Sequence, residues 1–182
     1  MQGARLMKTA VLIGMMGAGK TAVGTALARL LGVPFLDSDA ELERAADRSI
    51  AEIFERDGEA FFRAREHEVI ARLLSGPPAI LSTGGGAWMQ EMNRSEIRRR
   101  GVSVWLRADL DLLWQRVRHK STRPLLRTAN PRETLATLLA TREPIYALAD
   151  LTVDSRPDAS VTETAEAVLA ALAARPGILE KT

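Results

Sequence analysis

The segment Gly14–Thr21 constrains the possible fold more than any other part of the chain. It reads Gly-Met-Met-Gly-Ala-Gly-Lys-Thr, which fits the pattern G-x-x-x-x-G-K-[ST] of a loop that surrounds phosphate groups. The apolar run Thr9–Ile13 before it is typical of a buried strand, and the segment from Lys20 to Gly32 is typical of a helix ended by glycine. Strand, loop and helix in this order are the context that the pattern needs, so we predict a nucleotide-phosphate site.

The residue types in this loop fit the chemistry of a bound nucleotide. Glycines let the backbone approach phosphates closely, and the N-terminus of the following helix contributes partial positive charge. We expect Lys20 to contact the β- and γ-phosphates and Thr21 to bind Mg²⁺ through its hydroxyl. The alternative is a chance match, which four fixed positions give in roughly one chain of this length in a hundred or fewer. The nucleotide-binding candidates in this segment are Gly17, Ala18, Gly19, Lys20, Thr21 and Ala22.

Composition excludes several classes of protein. The 182 residues suffice for one domain with its own core, so we expect a single domain over 1–182 with loose ends at 1–7 and 175–182. The net charge of +2 is too small to indicate nucleic-acid binding, and the absence of cysteine excludes disulfides and thiolate metal sites. No apolar run reaches membrane-spanning length and the N-terminus does not resemble a signal peptide, so we expect a cytoplasmic protein.

Five short apolar runs alternate with helical segments along the chain. This alternation predicts an α/β fold, with a doubly wound and mostly parallel sheet covered by helices on both faces. A polar stretch at 119–130 has no apolar period, and we interpret it as a lid loop that excludes water. The predicted strands are Thr9–Ile13, Val33–Asp37, Ala79–Thr83, Val102–Leu106 and Leu151–Val153.

Several polar segments follow directly after predicted strands. Ligands in open α/β sheets bind at the carboxyl ends of the strands, so we expect these segments to form one site. They are Gly14–Thr21, Asp37 with Asp39, Gly84–Gly86, and Arg156.

Two of these segments suggest particular chemistry. Asp37 and Asp39 share one side of the chain, so one carboxylate could hold Mg²⁺ through water while the other meets a substrate hydroxyl. The alternative is that Asp39 only caps the following helix. Gly84–Gly86 could present consecutive N–H groups to an anion or a hydroxyl, or could form a plain turn.

Arginine side chains are the remaining candidates. Arg63 lies three residues before Glu66, and that spacing alone favours a surface ion pair over an Arg oriented toward a substrate carboxylate. Arg116 and Arg123, beside and within the lid, are candidates to neutralise charge during phosphoryl transfer. We interpret Arg118 as a solvated residue.

The chain resembles the shikimate kinase family along almost its whole length, about residues 8 to 172. The phosphate loop alone is shared by many NTPases, but the ordered combination of segments is far more specific. Besides that loop, the matching segments are F-L-D-S-D at 35–39, S-I-A-E-I-F at 49–54, G-E-A-F-F-R-A-R-E at 58–66, S-T-G-G-G-A at 82–87, R-P-L-L at 123–126, R-E-P-I-Y at 142–146 and V-D-S-R-P at 153–157.

The resemblance implies ATP-dependent phosphorylation of the 3-hydroxyl of shikimate. It implies a nucleoside-monophosphate-kinase-like fold whose five sheet strands lie in the order 2-3-1-4-5, with ATP and shikimate as small-molecule partners and Mg²⁺ as cofactor. The sequence does not fix the oligomeric state, and we expect a monomer. The residue roles that it implies are Lys20, Asp39 and Arg123 in catalysis, Thr21 and Asp37 at Mg²⁺, Arg116, Arg123 and Arg156 at the nucleotide, and Asp39, Arg63, Gly84, Gly85, Gly86 and Arg142 at shikimate.

Three other functions compete with this one. A gluconate kinase would have a similar build but needs a different pattern at Asp39, Arg63 and the three glycines. A nucleotide-switched binding protein would keep Lys20 and Thr21 but would have no use for the substrate-side residues. A nucleic-acid binder is disfavoured by the balanced charge and by the lack of an aromatic and basic stripe.

Overall fold

The computed structural model describes residues 3–120 and 124–181. Within these residues, strands and helices alternate along most of the chain. Short 3₁₀ turns lie at Ala87–Met89 and Pro124–Leu126. The strands are β1 (Ala4–Leu6), β2 (Thr9–Ile13), β3 (Phe35–Asp37), β4 (Ile80–Ser82), β5 (Gly101–Arg107), β6 (Leu151–Asp154) and β7 (Leu179–Lys181). The helices are α1 (Lys20–Leu31), α2 (Ser38–Ala46), α3 (Ile50–Leu74), α4 (Glu91–Arg100), α5 (Leu110–Val117), α6 (Pro131–Tyr146) and α7 (Val161–Ala173).

Five strands form a parallel sheet in the order β3-β4-β2-β5-β6. Counted along the chain, this is the order 2-3-1-4-5, so the predicted fold class and strand order are confirmed. All five residues of the central strand β2 are buried, although successive side chains point to opposite faces, so helices cover the sheet on both faces. The carboxyl ends of β2, β3 and β4 therefore meet at one edge, where the polar segments follow.

Helix α1 packs closely on the sheet because one of its residues has no side chain. A Cβ atom at Gly24 would lie 2.6 Å from the ring of Phe35 in β3 and 3.1 Å from Leu12 in β2. The helix ends at Gly32 in the left-handed conformation, which is the glycine stop that the sequence predicts. Close packing of α1 fixes the position of the phosphate loop that leads into it.

Ser49 is the N-cap of helix α3. It forms the capping box that the pattern Ser49-x-x-Glu52 predicts, in which each of the two side chains accepts a hydrogen bond from the other residue's backbone N–H. The sequence predicts a stop near Gly58 and a second helix after it. In the structure, the second helix follows the first directly, and only Gly58 interrupts them, with a φ of 82° and a ψ of 174° that are not helical. The part after the break carries Arg63 and Glu66 toward the carboxyl edge of the sheet.

The expectation of loose ends is wrong for most of both segments. Strand β1 pairs antiparallel with β7, and the N–H of Met7 donates to the Ile178 carbonyl at 2.9 Å. Leu6 and Ile178 are buried beside the main core. Burial of these two apolar side chains supplies a reason for the ends to order, and it depends on pairing between segments that are far apart in the sequence.

The stretch interpreted as a lid is only partly described. Its residues 121–123, including Arg123, lie outside the described residues. After them, the turn Pro124–Leu126 places Leu126 in the core and leaves Leu125 exposed. Asn130 then caps α6, with proline at its first position as the sequence predicts. In the parts of the chain at 3–120 and 124–181, no helix has both the length and the apolar character needed to cross a membrane.

The pairing of the two chain ends gives a testable prediction about stability. We expect Leu6→Ala to lower the free energy of unfolding by about 2 kcal/mol, the low end for a buried leucine, because this strand lies at the margin of the core. Chemical denaturation would measure the loss. Met7→Ala is the matched control, because Met7 is 41% exposed and should contribute little. Equal effects of the two substitutions would contradict the pairing of the ends.

Candidate active site

The phosphate loop presents the positive end of a helix to the carboxyl edge of the sheet. Gly19 precedes α1 with a φ of 95°, and the first turn of α1 has neither an acidic residue nor a side-chain cap. The Lys20 ammonium lies across the loop and donates to the carbonyl oxygens of Gly14 at 2.7 Å and Met15 at 3.0 Å. The helix N-terminus and this ammonium together form a site for an anion such as a nucleotide phosphate.

Arg116 approaches the phosphate loop from helix α5. Its Nη1 donates to the Gly17 carbonyl at 2.9 Å and to the Ser155 hydroxyl at 3.1 Å. Burial lowers the pKa of this guanidinium, but an arginine so placed stays charged at neutral pH. The structure therefore places Arg116 at the phosphate loop, and its contact with a nucleotide stays a prediction.

Asp37 caps helix α2. Its Oδ1 accepts hydrogen bonds from the backbone N–H groups of Asp39 at 2.9 Å and Ala40 at 3.1 Å. From the sequence, Asp39 is the alternative candidate for the cap of α2. The structure shows that Asp37 is the cap, so this alternative is wrong. Among the described residues, Oδ2 of Asp37 accepts no hydrogen bond, so this oxygen is available to another ligand.

Asp39 lies in the first turn of α2 and faces the glycine segment. Its pKa is raised from 3.8 to about 6, chiefly by burial and then by the nearby carboxylates of Asp37 and Glu66, while Lys20 opposes the rise. A carboxyl group with this pKa is ionised at neutral pH and is a better proton acceptor than an ordinary aspartate. Asp39 is thus suited to accept a proton from a substrate hydroxyl.

Each residue of Gly84–Gly86 faces a different charged side chain. A Cβ atom at Gly84 would lie 2.9 Å from Oδ1 of Asp39, and one at Gly85 would lie 3.0 Å from Nη1 of Arg142. One at Gly86 would lie 2.5 Å from Nη2 of Arg63. The absence of side chains lets one carboxylate and two guanidinium groups meet at a single stretch of backbone.

The backbone of this segment has its carbonyl groups engaged. The Gly84 carbonyl accepts from the N–H of Ala87 at 3.1 Å, and the Gly86 carbonyl accepts from the N–H of Met89 at 3.1 Å. The Gly85 carbonyl accepts from the Tyr146 hydroxyl at 2.6 Å. Within 3–120 and 124–181 no acceptor pairs with the N–H groups of the three glycines, which leaves them available to a ligand. The segment therefore forms a turn that is closed by the bond from Ala87 to Gly84, and the binding of a ligand by its N–H groups stays a prediction.

Arg63 and Glu66 form a hydrogen-bonded ion pair at 2.9 Å. Glu66 is buried, so the expectation of a surface ion pair is wrong. Burial raises the pKa of Glu66, and the attraction and hydrogen bond of Arg63 oppose that rise. Nε of Arg63 is buried and makes no hydrogen bond with the described residues, although Glu59 lies 3.7 Å away. Glu66 therefore orients a guanidinium that keeps donor capacity for a ligand.

Arg142 reaches the glycine segment from α6. Tyr146, one turn later, lies against it and stacks on Trp105 with ring centroids 5.9 Å apart. Burial raises the pKa of the Tyr146 hydroxyl, and Arg142 acts in the opposite direction. The tyrosine is fully buried, so it fixes both the glycine segment and the neighbouring arginine.

Arg156 is the candidate residue that has the weakest connection to the rest of the site through described contacts. It is exposed and pairs with Asp158 at 2.7 Å. Its neighbour Ser155 is buried and accepts the hydrogen bond from Arg116, so this segment lies beside the phosphate loop. A role for Arg156 at the adenine ring stays a prediction.

The available oxygen donors fit Mg²⁺ better than a softer metal. Thr21 offers a hydroxyl at the start of α1, and Asp37 offers one carboxylate oxygen. Mg²⁺ is commonly bound by one or two protein oxygens together with phosphate oxygens and water. Among the described residues, no group of three or more histidine, cysteine or acidic side chains has an arrangement that could hold a metal ion.

Several residues at the site carry no role in the sequence analysis. Tyr146 could have been found from its spacing, since it follows Arg142 by four residues on one helix. Ser155 and the buried Asn93 give no local signal, because their partners are distant along the chain. Their positions depend on tertiary packing.

Comparison with known proteins gives consistent matches. The family model described as "Shikimate kinase" matches residues 16–173. A shikimate kinase of Cereibacter sphaeroides is 67% identical over 177 residues, which cover 97% of this chain and 88% of that protein. One of Ruegeria pomeroyi is 64% identical, covering 97% and 91%. The structure of a shikimate kinase from Acinetobacter baumannii in complex with shikimate superposes with a TM-score of 0.84 at 41% identity, covering 90% of this chain and 91% of that chain.

Because its pKa is raised in the folded state, Asp39 should lower the free energy of unfolding by an amount that depends on pH. Because the folded-state pKa of about 6 lies above the ordinary value of 3.8, Asp39 favours folding fully below pH 3.8, and this contribution is lost as pH rises through about 6. We expect Asp39→Asn to stabilise the ligand-free protein by about 2 kcal/mol at pH 7 and hardly at all near pH 4. Urea unfolding of both proteins across this range measures the difference. A difference that does not change with pH would contradict the assignment.

Proposed function

This chain belongs to the shikimate kinase family, and we propose that it transfers the γ-phosphoryl group of ATP to the 3-hydroxyl of shikimate. The products are shikimate 3-phosphate and ADP, in the pathway to chorismate and aromatic amino acids. The structural observation that carries the proposal is the meeting of Asp39, Arg142 and Arg63 at Gly84–Gly86, next to the phosphate loop. A hydroxylated carboxylic acid needs such a set.

On the substrate side, we assign anion binding and proton transfer to different residues. Arg63 and Arg142 are the two cations that can hold a carboxylate, and Glu66 and Tyr146 keep them in place. Asp39 lies at the other end of the glycine segment, so a bound acid would present a hydroxyl to it. The N–H groups of Gly84–Gly86 supply further donors between these ends.

The nucleotide side supplies position and positive charge. Lys20 and Arg116 bring two cations to the loop, and the start of α1 supplies N–H groups for the phosphates. Thr21, directly, and Asp37, through water, would hold Mg²⁺, and the ion would supply positive charge against the phosphates. Arg123 in the lid and Arg156 beside the adenine ring complete the proposed contacts.

Phosphoryl transfer in such a site depends mainly on positioning and charge stabilisation. The phosphate loop holds the donor while the two substrate arginines hold the acceptor, so the acceptor hydroxyl can align in line with the bond that breaks. Asp39, ionised at neutral pH with a pKa of about 6, accepts the hydroxyl proton. Closure of the lid at 119–130 would exclude water, which otherwise competes with the acceptor.

The proposal extends to the organisation of the chain. Residues 1–182 act as one kinase domain and as a monomer. The small-molecule partners are ATP and shikimate, and no nucleic acid or membrane takes part. We also propose a cytoplasmic location. Gel filtration with light scattering measures the mass of the native species against the 19.9 kDa of one chain.

ADP release by the purified protein tests the function directly. With ATP and Mg²⁺, we expect a large rate only when shikimate is added, because transfer needs an acceptor held at Asp39. Addition of EDTA should remove this rate. Gluconate is the matched acceptor control, since it is also a hydroxylated acid. A slow rate that is the same with and without shikimate would favour a nucleotide-switched binding protein instead.

Replacing Arg63 should separate the two substrates. We expect Arg63→Ala to raise the KM for shikimate by about 10- to 100-fold with little change in the KM for ATP, because a charged hydrogen bond to the carboxylate is lost. Adding Glu66→Gln to this variant removes the carboxylate left buried without a partner, and so keeps the fold stable. Arg65→Ala is the control, because Arg65 pairs with Glu68 at the surface. Equal losses for both substrates would indicate a structural ion pair.

The opposite separation is expected at Arg116. Arg116→Ala should raise the KM for ATP by about tenfold and leave the KM for shikimate within about twofold, because this guanidinium lies on the phosphate loop. Arg118→Ala removes an exposed arginine two residues further along and should change neither constant. Steady-state kinetics with each substrate varied in turn would measure these effects. A larger change for shikimate than for ATP would contradict the placement of Arg116.

A further inference from the structure

Asn93 is a fully buried side chain behind the substrate side of the site, and the reaction as described above does not use it. Its Nδ2 donates to the carbonyl oxygen of Ala87 at 3.0 Å. Its Oδ1 lies 2.9 Å from Nδ1 of His67. One side chain from α4 therefore connects helix α3 with the turn that directly follows Gly84–Gly86.

The chemistry of the bridge fixes its orientation. A backbone carbonyl can only accept, so the amide nitrogen of Asn93 must face Ala87 and its oxygen must face His67. His67 then has to donate from Nδ1, which it does both in the neutral Nδ1–H tautomer and in the charged form. Both polar atoms of the Asn93 amide thus have a hydrogen-bond partner, and a buried polar network of this kind holds its members rigidly.

The two ends of the bridge lie next to substrate-binding groups. On α3, His67 follows Arg63 by one turn, so both lie on the same side of the helix. On the other side, the N–H of Ala87 donates to the Gly84 carbonyl at 3.1 Å, so the turn that Asn93 holds is the one that shapes the glycine segment. The bridge therefore fixes Arg63 relative to Gly86, with which it is in close contact.

We propose that Asn93 and His67 are positioning residues for the acceptor substrate, which set the distance between Arg63 and the Gly84–Gly86 segment. Neither residue touches the substrate. The inference rests on the proposed function, because it assigns the carboxylate of shikimate to Arg63 and the glycine N–H groups. Loss of the bridge should weaken the binding of shikimate and leave ATP binding unaffected, because the described hydrogen bonds of Asn93 and His67 lead to the turn at Ala87 and not to the phosphate loop.

The first test removes the bridge at its centre. Asn93→Ala should raise the KM for shikimate by about tenfold, with the KM for ATP within about twofold, because small misplacements of binding groups are costly. Thr9→Val is the control for general destabilisation. It removes a buried hydrogen bond from the Ala79 N–H to the Thr9 hydroxyl, at 3.2 Å, at the opposite edge of the sheet. An equal rise in the shikimate KM for Thr9→Val would overturn the proposal.

The second test uses the geometry of the histidine and covers the case in which Asn93→Ala does not fold. The amide nitrogen of asparagine can take the position of Nδ1, whereas that of glutamine takes the position of Nε2. His67→Asn should therefore keep the shikimate KM near that of the parent, and His67→Gln should raise it by about as much as His67→Ala. If all three variants behave alike, the bridge does not position the substrate.

Hydrogen exchange separates failure of this proposal from failure of the proposed function. In the ligand-free protein, Asn93→Ala should speed amide exchange at 84–89 and leave exchange in the phosphate loop unchanged. Faster exchange in a protein whose parent lacks shikimate-dependent ADP release would reject the function alone. Unchanged exchange and unchanged KM in an active protein would reject the positioning role.

Discussion

The site depends on a stretch of backbone that three charged side chains can approach closely. Asp39, Arg142 and Arg63 come from three different helices, and each meets one residue of Gly84–Gly86. Parallel pairing of β3, β4 and β2 brings the carboxyl ends of these strands together, so the aspartates, the glycines and the phosphate loop share one edge. Most other features of the substrate side serve to hold these groups at their distances.

The charges at the site balance each other in a way that suits proton transfer. Burial and two neighbouring carboxylates raise the pKa of Asp39 to about 6, while Lys20 limits the rise. Asp39 therefore remains ionised at neutral pH without being as weak a base as a solvated aspartate. On the other side, the buried carboxylate of Glu66 keeps Arg63 in one orientation, and Tyr146 restrains Arg142. The two arginines proposed to bind the anion are thus separated, along the glycine segment, from the carboxylate proposed to accept the proton.

Sequence patterns predicted the fold, and the edge of the sheet at which the candidate residues lie, because both follow from local features. The apolar runs, the phosphate loop and the caps at Ser49, Asn130 and Ser160 each depend on residues close in the chain. The features that were missed depend on packing between distant segments. The cap lies at Asp37 rather than Asp39 because the bend of the chain after β3 decides which carboxylate faces the N–H groups. The pairing of β1 with β7 and the burial of Glu66 likewise arise only when remote elements meet.

The glycine segment also has a consequence for changing which acids a kinase of this kind accepts. Because each glycine faces one charged group, a methyl group added at one position would displace one of the three and spare the other two. Alanine at position 86 would clash with Arg63, the proposed carboxylate-binding residue, whereas alanine at position 84 would clash with Asp39, the proposed proton acceptor. Substitutions at the three positions would therefore act separately. A library of variants restricted to these positions would vary the charge of the accepted acid and the placement of its hydroxyl independently.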